Sequence, residues 1–187
     1  MITDALPIEA ATVATVLGGA FAATPQSRWI VPDDTDRPRL LAELFVPLVE
    51  HGVKYGRVGL VLDSLGEMHA AAVWLPSDAP EPLEPTGRYA DRWAAFSAAL
   101  AAQHPAAPHR HLALIGVRPD RQGRGFGTAL LNHHHAELHE AAYLEVESPQ
   151  LAALYWRYGY RPGPAFLMPS GLPMWPMWRP ARAGAPG

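Results

Sequence analysis

Between residues 8 and 21 the apolar positions fall at helical intervals, from Ile8 through Val13, Val16 and Leu17 to Phe21. That is the stripe an amphipathic helix turns toward a core. Pro25 is expected to mark its end. Residues 37–52, RPRLLAELFVPLVEHG, predict a second helix with Pro47 as a kink and Gly52 as the stop signal. The pattern then changes: YGRVGLVLD (55–63) and MHAAAVWLP (68–76) are strand-like, and SLGE between them supplies hairpin turn residues. RYADRWAAFSAALAAQH (88–104) returns to helical spacing and stops at Pro105. HLALIGV (111–117) reads as a buried strand, residues 125–139 as a helix, AYLEVE (142–147) as a strand and PQLAALYWRYG (149–159) as a helix. Short strands are expected near YRPGPAFLM and PMWPMW. The order α-α-β-β-α-β-α-β-α-β predicts a mixed α/β layer fold.

Length and composition narrow the function. The 187 residues suit one domain over 1–180, with RAGAPG and its neighbours (181–187) as a disordered tail and residues 76–87 as a surface loop. Cysteine is absent, which excludes disulfides, thiolate metal sites and cysteine nucleophiles. A net charge of -3 gives no general attraction for nucleic acid or for an anionic membrane. No apolar run reaches membrane-spanning length and no leader-like segment opens the chain, so a cytoplasmic protein is expected.

The densest chemistry lies in VRPDRQGRGFGTALL, residues 117–131, where three glycines and three arginines run into an apolar helix. Glycines let a ligand approach the backbone, and successive N–H groups at a helix start form a cradle for an anion. Arg121 and Arg124 add charge suited to phosphate. A pyrophosphate fits this description. The P-loop is excluded because the single lysine, Lys54, lies far away, and the dinucleotide fingerprint fails on glycine spacing. The alternative is turn chemistry alone.

This stretch resembles the acyl-CoA-binding motif of the GNAT superfamily of N-acetyltransferases, Gln/Arg-x-x-Gly-x-Gly/Ala, carried here by Gln122, Gly125 and Gly127. LEVESPQLAALYWRYGY is similar to the strand–helix pair of the same superfamily that ends in Leu-Tyr-x-x-x-Gly-Phe/Tyr. More loosely, GGAFAATPQSRW and AAAVWLP resemble the front half of puromycin N-acetyltransferase-like members. The resemblance implies a GNAT fold, a central twisted mixed β-sheet flanked by helices on both faces. It implies that the backbone of Ile115, Gly116 and Val117 pairs with the pantetheine arm of coenzyme A. It further implies that Arg121, Gln122, Gly123, Arg124, Gly125, Phe126, Gly127 and Thr128 hold the pyrophosphate, with Leu151 and Tyr155 also on the coenzyme. Leu151 departs from the pattern, because puromycin-acetyltransferase-like members carry an asparagine there. The N-terminal strand is short, since only MITDA precedes the first helical region.

Acetylation of an amine needs a base for its proton and an acid or donor for the departing thiolate. Tyr155 stands at the family's general-acid position; the alternative is an aromatic core residue. Glu145 stands where related enzymes often place a glutamate and is the candidate base; the alternative is that it and Glu147 are both solvated or structural carboxylates. His111 is a second candidate base. NHHHAELHE sets His135 and His139 four apart, a spacing for two metal ligands, but no third ligand accompanies them, so a polar helix surface is preferred and no metal is assigned. Phe21, Trp29, Trp74 and Trp175, with Trp93, are candidates for an aromatic wall around a bulky or cationic amine, or for core. Asp78, Glu81 and Glu84 read as a solvated acidic loop that could steer a cation. The expected function is therefore acetyl transfer from acetyl-CoA to a primary amine of a small molecule, by direct attack in a ternary complex. The alternative is a catalytically weak acyl-CoA-binding sensor. A homodimer paired through PMWPMW is a further expectation.

Overall fold

The computed structural model describes residues 1–182. In chain order its elements are β1 (Ile2–Asp4), α1 (Ala10–Phe21), α2 (Pro25–Ile30), α3 (Arg37–Tyr55), β2 (Arg57–Leu62), β3 (Met68–Pro76), α4 (Ala90–Ala101), β4 (Arg110–Val117), α5 (Phe126–Glu137), β5 (Ala142–Val146), α6 (Pro149–Trp156), β6 (Arg161–Pro162), β7 (Phe166–Leu167) and β8 (Pro173–Arg179). The strands form one mixed sheet in the order β1-β2-β3-β4-β5-β8-β6, with β7 on β8. β4 and β5 are its parallel pair.

Both faces of this sheet are covered. Ala71 and Val73 of β3 point into a core built with Val13 and Leu17 of α1 and Leu41 and Phe45 of α3. Ala70, Ala72 and Trp74 point the other way, onto Leu130 and Leu131 of α5 and the cluster around Tyr155 of α6. A strand buried on both faces has no reason to alternate, which is why MHAAAVWL reads as a continuous apolar run.

Several boundaries differ from the sequence reading for identifiable reasons. Ile8 lies outside α1 and is 88% exposed. Pro25 starts a helix: the Thr24 hydroxyl accepts from Ser27 N at 3.2 Å, and proline needs no partner for its missing N–H in the first turn. α3 runs past Gly52 to Tyr55. Gly52 is a contact residue, not a stop signal, because a Cβ there would lie 2.7 Å from Val73 Cγ1 and 3.0 Å from Val58 Cγ2. Gly18 plays the same part between helices, where a Cβ would press on Pro38 O and stand 2.8 Å from Ala42 N. Gly18→Ala is accordingly expected to lose about 1–3 kcal/mol of stability by forcing α1 and α3 apart. A urea titration checks this, and an unchanged midpoint would refute it.

β8 takes β5 along one edge and β6 and β7 along the other. PMWPMW is therefore an interior strand, and its edges are already occupied within the chain. At the C-terminus Arg182 donates from its backbone to His139 O and from its side chain to His135 O. The rest of the expected tail, residues 183–187, lies outside the described residues. No described helix is long and apolar enough to cross a membrane.

The feature that positions chemistry is in the middle of the sheet. β3 and β4 slip register between Val73 and Trp74: Trp74 pairs with Leu112 but Val73 with Leu114, leaving Ala113 as an extra residue. β4 and β5 pair only at Arg110 with Ala142 and His111 with Tyr143. Beyond His111, β4 shows β5 a bare edge.

Candidate active site

The bulge at Ala113 decides which way His111 points. Leu112 lies in the α5-side cluster with Ile115 and Val117, whereas Leu114 lies in the α1 side. Parity changes across Ala113, so His111 turns to the α1 side. Glu145 of β5 sits between Leu144 and Val146, both in the α5-side cluster, and therefore also turns to the α1 side. The two candidate bases read separately in the sequence meet there: His111 Nε2 and Glu145 Oε2 are 3.0 Å apart. The side chains are 16% and 5% exposed. Burial alone would raise the Glu145 pKa, but the His111 charge and hydrogen bond, with the Tyr143 hydroxyl, outweigh it and hold the carboxyl below its usual range. Glu145 Oε1 is buried and has no hydrogen-bond partner among the described residues.

Two further histidines surround this pair, and neither they nor Tyr143 were singled out in the sequence. His104 packs edge-on against His111 at 4.7 Å and against Tyr143 at 5.0 Å. Its Nε2 is 2.9 Å from His109 Nε2, and His109 Nδ1 is 2.7 Å from Ala107 O. Burial, then the neighbouring His111, pushes the His104 pKa down to about 4. The available signal was HPAAPHRH, three histidines within residues 104–111.

The expected coenzyme residues form a continuous surface. Ile115, Gly116 and Val117 bond β3 on one edge and face the opening on the other. Gln122 Nε2 donates to Val117 O at 3.3 Å, tying the glycine turn to the strand. Gly123 and Gly125 have φ of 74° and 80°, and a Cβ at either would meet nothing within 4 Å. They are thus required by backbone conformation and not by internal packing. Gly125 is the N-cap of α5, and Ala129 N is the first amide to reach back to it. The amides of Phe126, Gly127 and Thr128 donate to no acceptor among the described residues, leaving a set of unpaired donors at the positive end of a helix. Phe126 stacks on His69 at 5.3 Å. Arg124 is exposed and makes no ion pair among the described residues, while Arg121 lies 3.4 Å from Asp120.

Tyr155 lies on the other face of β5, buried in the α5-side cluster. The Ser148 hydroxyl caps α6 by accepting from Leu151 N at 3.3 Å, and the helix carries Tyr155 into the cluster with Leu144 and Val146. Its ring packs edge-on against Tyr160 at 5.7 Å. Burial pushes its phenol well above the ordinary tyrosine range, so it stays protonated at neutral pH. Tyr155 and Glu145 thus stand on opposite faces of β5. Leu151 is 38% exposed on α6.

The aromatic candidates divide. Phe21 packs edge-on against Phe45 at 5.8 Å and approaches Gly116 of β4. Trp29 is partly exposed on α2 with Arg92 over its ring at 5.4 Å. Both share the face of Glu145. Trp74 does not: it is 2% exposed and stacks on His134 at 3.9 Å, on the α5 face. Trp175 packs on that same face, and Trp93 is core against Phe45. Those three are corrected to packing roles. Glu147 lies past the end of β5, where burial raises its pKa against a hydrogen bond from the Gln26 backbone. His135 and His139 are not a ligand pair. α5 ends at Glu137, and His135 is buried with Nε2 on Tyr160 Oη at 2.9 Å. Asp78, Glu81 and Glu84 are all exposed.

A family model described as Acetyltransferase (GNAT) domain matches residues 89–162. Over its whole length the chain is similar to a Corynebacterium glutamicum structure described as histone acetyltransferase HPA2 and related acetyltransferase, at 26% identity and a TM-score of 0.72, covering 100% of this chain and 98% of that one. A Drosophila melanogaster polyamine N-acetyltransferase, which forms N-acetylagmatine, shares the fold at 17% identity and a TM-score of 0.60, over 95% of this chain and 98% of that one. The ribosomal-protein-S18-alanine N-acetyltransferase of Escherichia coli does so at 19% identity and a TM-score of 0.58, over 99% and 96%.

Proposed function

Because residues 89–162 match a GNAT acetyltransferase domain and the whole chain is similar to an acetyltransferase structure, we propose that the protein is a GNAT acetyltransferase and transfers the acetyl group of acetyl-CoA to a primary amine of a small molecule by direct attack in a ternary complex. The observation that carries this reading is the bare edge of β4 running into the unpaired amides of Phe126, Gly127 and Thr128. An extended amide arm ending in a diphosphate satisfies both with one molecule.

Each residue then has one task. Phe21 and Trp29 line the acceptor side. Glu145, aligned by His111, takes the proton of the amine as its nitrogen attacks the thioester carbonyl, directly or through one water. The carbon–sulfur bond breaks, and the Tyr155 hydroxyl donates to the leaving sulfur. The proton held by Glu145 passes through solvent to the thiolate, and acetylated amine and free thiol depart. The desolvated phenol binds its proton tightly, so its contribution is chiefly a hydrogen bond to the developing thiolate.

Calorimetry with coenzyme A, followed by thiol release from acetyl-CoA across an amine panel, tests the reading. Absence of heat on adding coenzyme A would sink it. A second reading, an acyl-CoA-binding sensor, is favoured by Leu151, which cannot hydrogen-bond the coenzyme arm as asparagine would; it requires binding without release above hydrolysis for any amine. Tyr155→Phe is expected to lower turnover about 10- to 100-fold with coenzyme affinity unchanged. Wild-type turnover in that variant would remove Tyr155 from the reaction.

A further inference from the structure

We propose that His104, His111 and Glu145 form a binding site for a zinc-type divalent cation, and that filling it silences the base. A ring nitrogen from each histidine and a carboxylate oxygen all lie within 4.8 Å of one another. Two imidazoles and one carboxylate are a donor set suited to zinc, cobalt or nickel and poor for magnesium or calcium. Closing the set onto metal–ligand bonds of about 2.0–2.2 Å takes side-chain rotations of roughly an ångström, within reach of the two histidines.

A second observation points to a ligand at the same place. The Glu145 side chain is 5% exposed, yet its Oε1 has no partner among the described residues. A buried carboxylate oxygen without a donor is costly unless something cationic or protic fills the gap. The histidine next to it is already held as metal-binding histidines are. Ala107 O can only accept, so His109 carries its proton on Nδ1 and accepts at Nε2. His104 must therefore donate from Nε2, which leaves its Nδ1 as the free electron pair. A second partner that fixes the tautomer and ring angle is the usual support of a metal ligand. Between His111 and Glu145 the cation would replace the proton now shared across 3.0 Å.

Three protein ligands leave the fourth position of a tetrahedral ion open toward the cleft. The same carboxylate cannot hold a metal and accept the proton of an amine, so occupation should compete with the amine and not with coenzyme A. The silencing half rests on the acetyltransferase reading above. The binding half does not.

The test uses the full chain stripped with chelator, with zinc chloride as the probe in calorimetry. One zinc per chain with a micromolar or tighter Kd is expected. The variants His104→Ala, His111→Gln and Glu145→Gln should each weaken it by about tenfold or more, since losing only the hydrogen-bond partner of a metal ligand already costs that much, while His139→Ala leaves it intact. Circular dichroism confirms that the variants fold, and Glu145→Gln is the nearly isosteric control. Zinc that binds equally well to His104→Ala and to Glu145→Gln overturns the site, as does the absence of any binding. Acetylated product, measured by mass spectrometry with zinc and with chelator, reads the second half. Inhibition relieved by rising amine concentration supports silencing, and equal turnover with bound zinc refutes it. A chain that binds zinc as described but acetylates nothing would retain the site and lose only the acetyltransferase reading.

Discussion

Glu145→Gln is expected to lower the turnover of amine acetylation by about two to four orders of magnitude, the range over which positioned bases act, with coenzyme A affinity unchanged. A base must be ionised, must face the proton it removes and must have a lone pair to spare. His111 holds the first condition, pairing with Oε2 at 3.0 Å. The α1 side of β5, shared with Phe21 at Gly116, provides the second. The unpartnered Oε1 provides the third. Glutamine keeps the shape and still accepts from His111, but it cannot take a proton. His111→Ala should cost less, about tenfold, because the carboxylate survives and loses only its alignment. Thermal stability separates this role from a structural one. Removing one partner of the buried His111–Glu145 pair costs stability, so Glu145→Gln should melt somewhat lower than wild type yet remain folded at the assay temperature, where its turnover is read. Wild-type turnover at saturating amine, or a lost fold, would reject Glu145 as the base.

How much of this was visible along the chain follows from how local each signal is. The glycine turn and the Leu-Tyr-x-x-x-Gly-Tyr helix are contiguous, and their chemistry is backbone conformation at Gly123 and Gly125 plus one helical face; both were legible. The facing of β-strand side chains was not. Trp74 sits in a run buried on both sides, so no alternation marked its face, and it was assigned to the acceptor side that it turns away from. His111 depends on Ala113. Counting by twos along an unbroken strand would have put His111 on the face of Ile115, away from Glu145, and only the register slip reverses it. Nothing in HLALIGV announces a bulge, because Ala113 is an ordinary strand residue. Gly52 shows the converse failure. A glycine near a helix end was read as a terminator because the valines that crowd it, Val58 and Val73, are remote enough in sequence to be invisible as neighbours.

On acidification from pH 7 the protein is expected to lose several kcal/mol of stability between pH 6.5 and 4, well before most carboxylates titrate. The groups responsible are His134 and His135 on α5. His134 is stacked on Trp74 at 3.9 Å, and burial, then Arg57 and His135, lowers its pKa to about 4. His135 is 7% exposed and bonded to Tyr160, and burial, then Arg179 and Arg182, takes it to about 4 as well. An unfolded histidine titrates near ~6.5, so the unfolded chain binds more protons across this interval and the folded state loses ground as pH falls. The stabilisation is complete above the unfolded pKa and gone once pH passes below the folded one. At about 1.4 kcal/mol per unit, each of the two contributes on the order of 2–3 kcal/mol. Total stabilities of about 5–15 kcal/mol leave little margin. His104 shifts in the same direction and His51 and His109 follow it, so they remain as background in any comparison. The double variant His134→Phe, His135→Gln keeps the stack on Trp74 and a donor for Tyr160 while removing both titrations. Urea unfolding at several pH values should show a markedly shallower fall for that variant than for wild type. Parallel curves would mean that α5 is not where the acid acts.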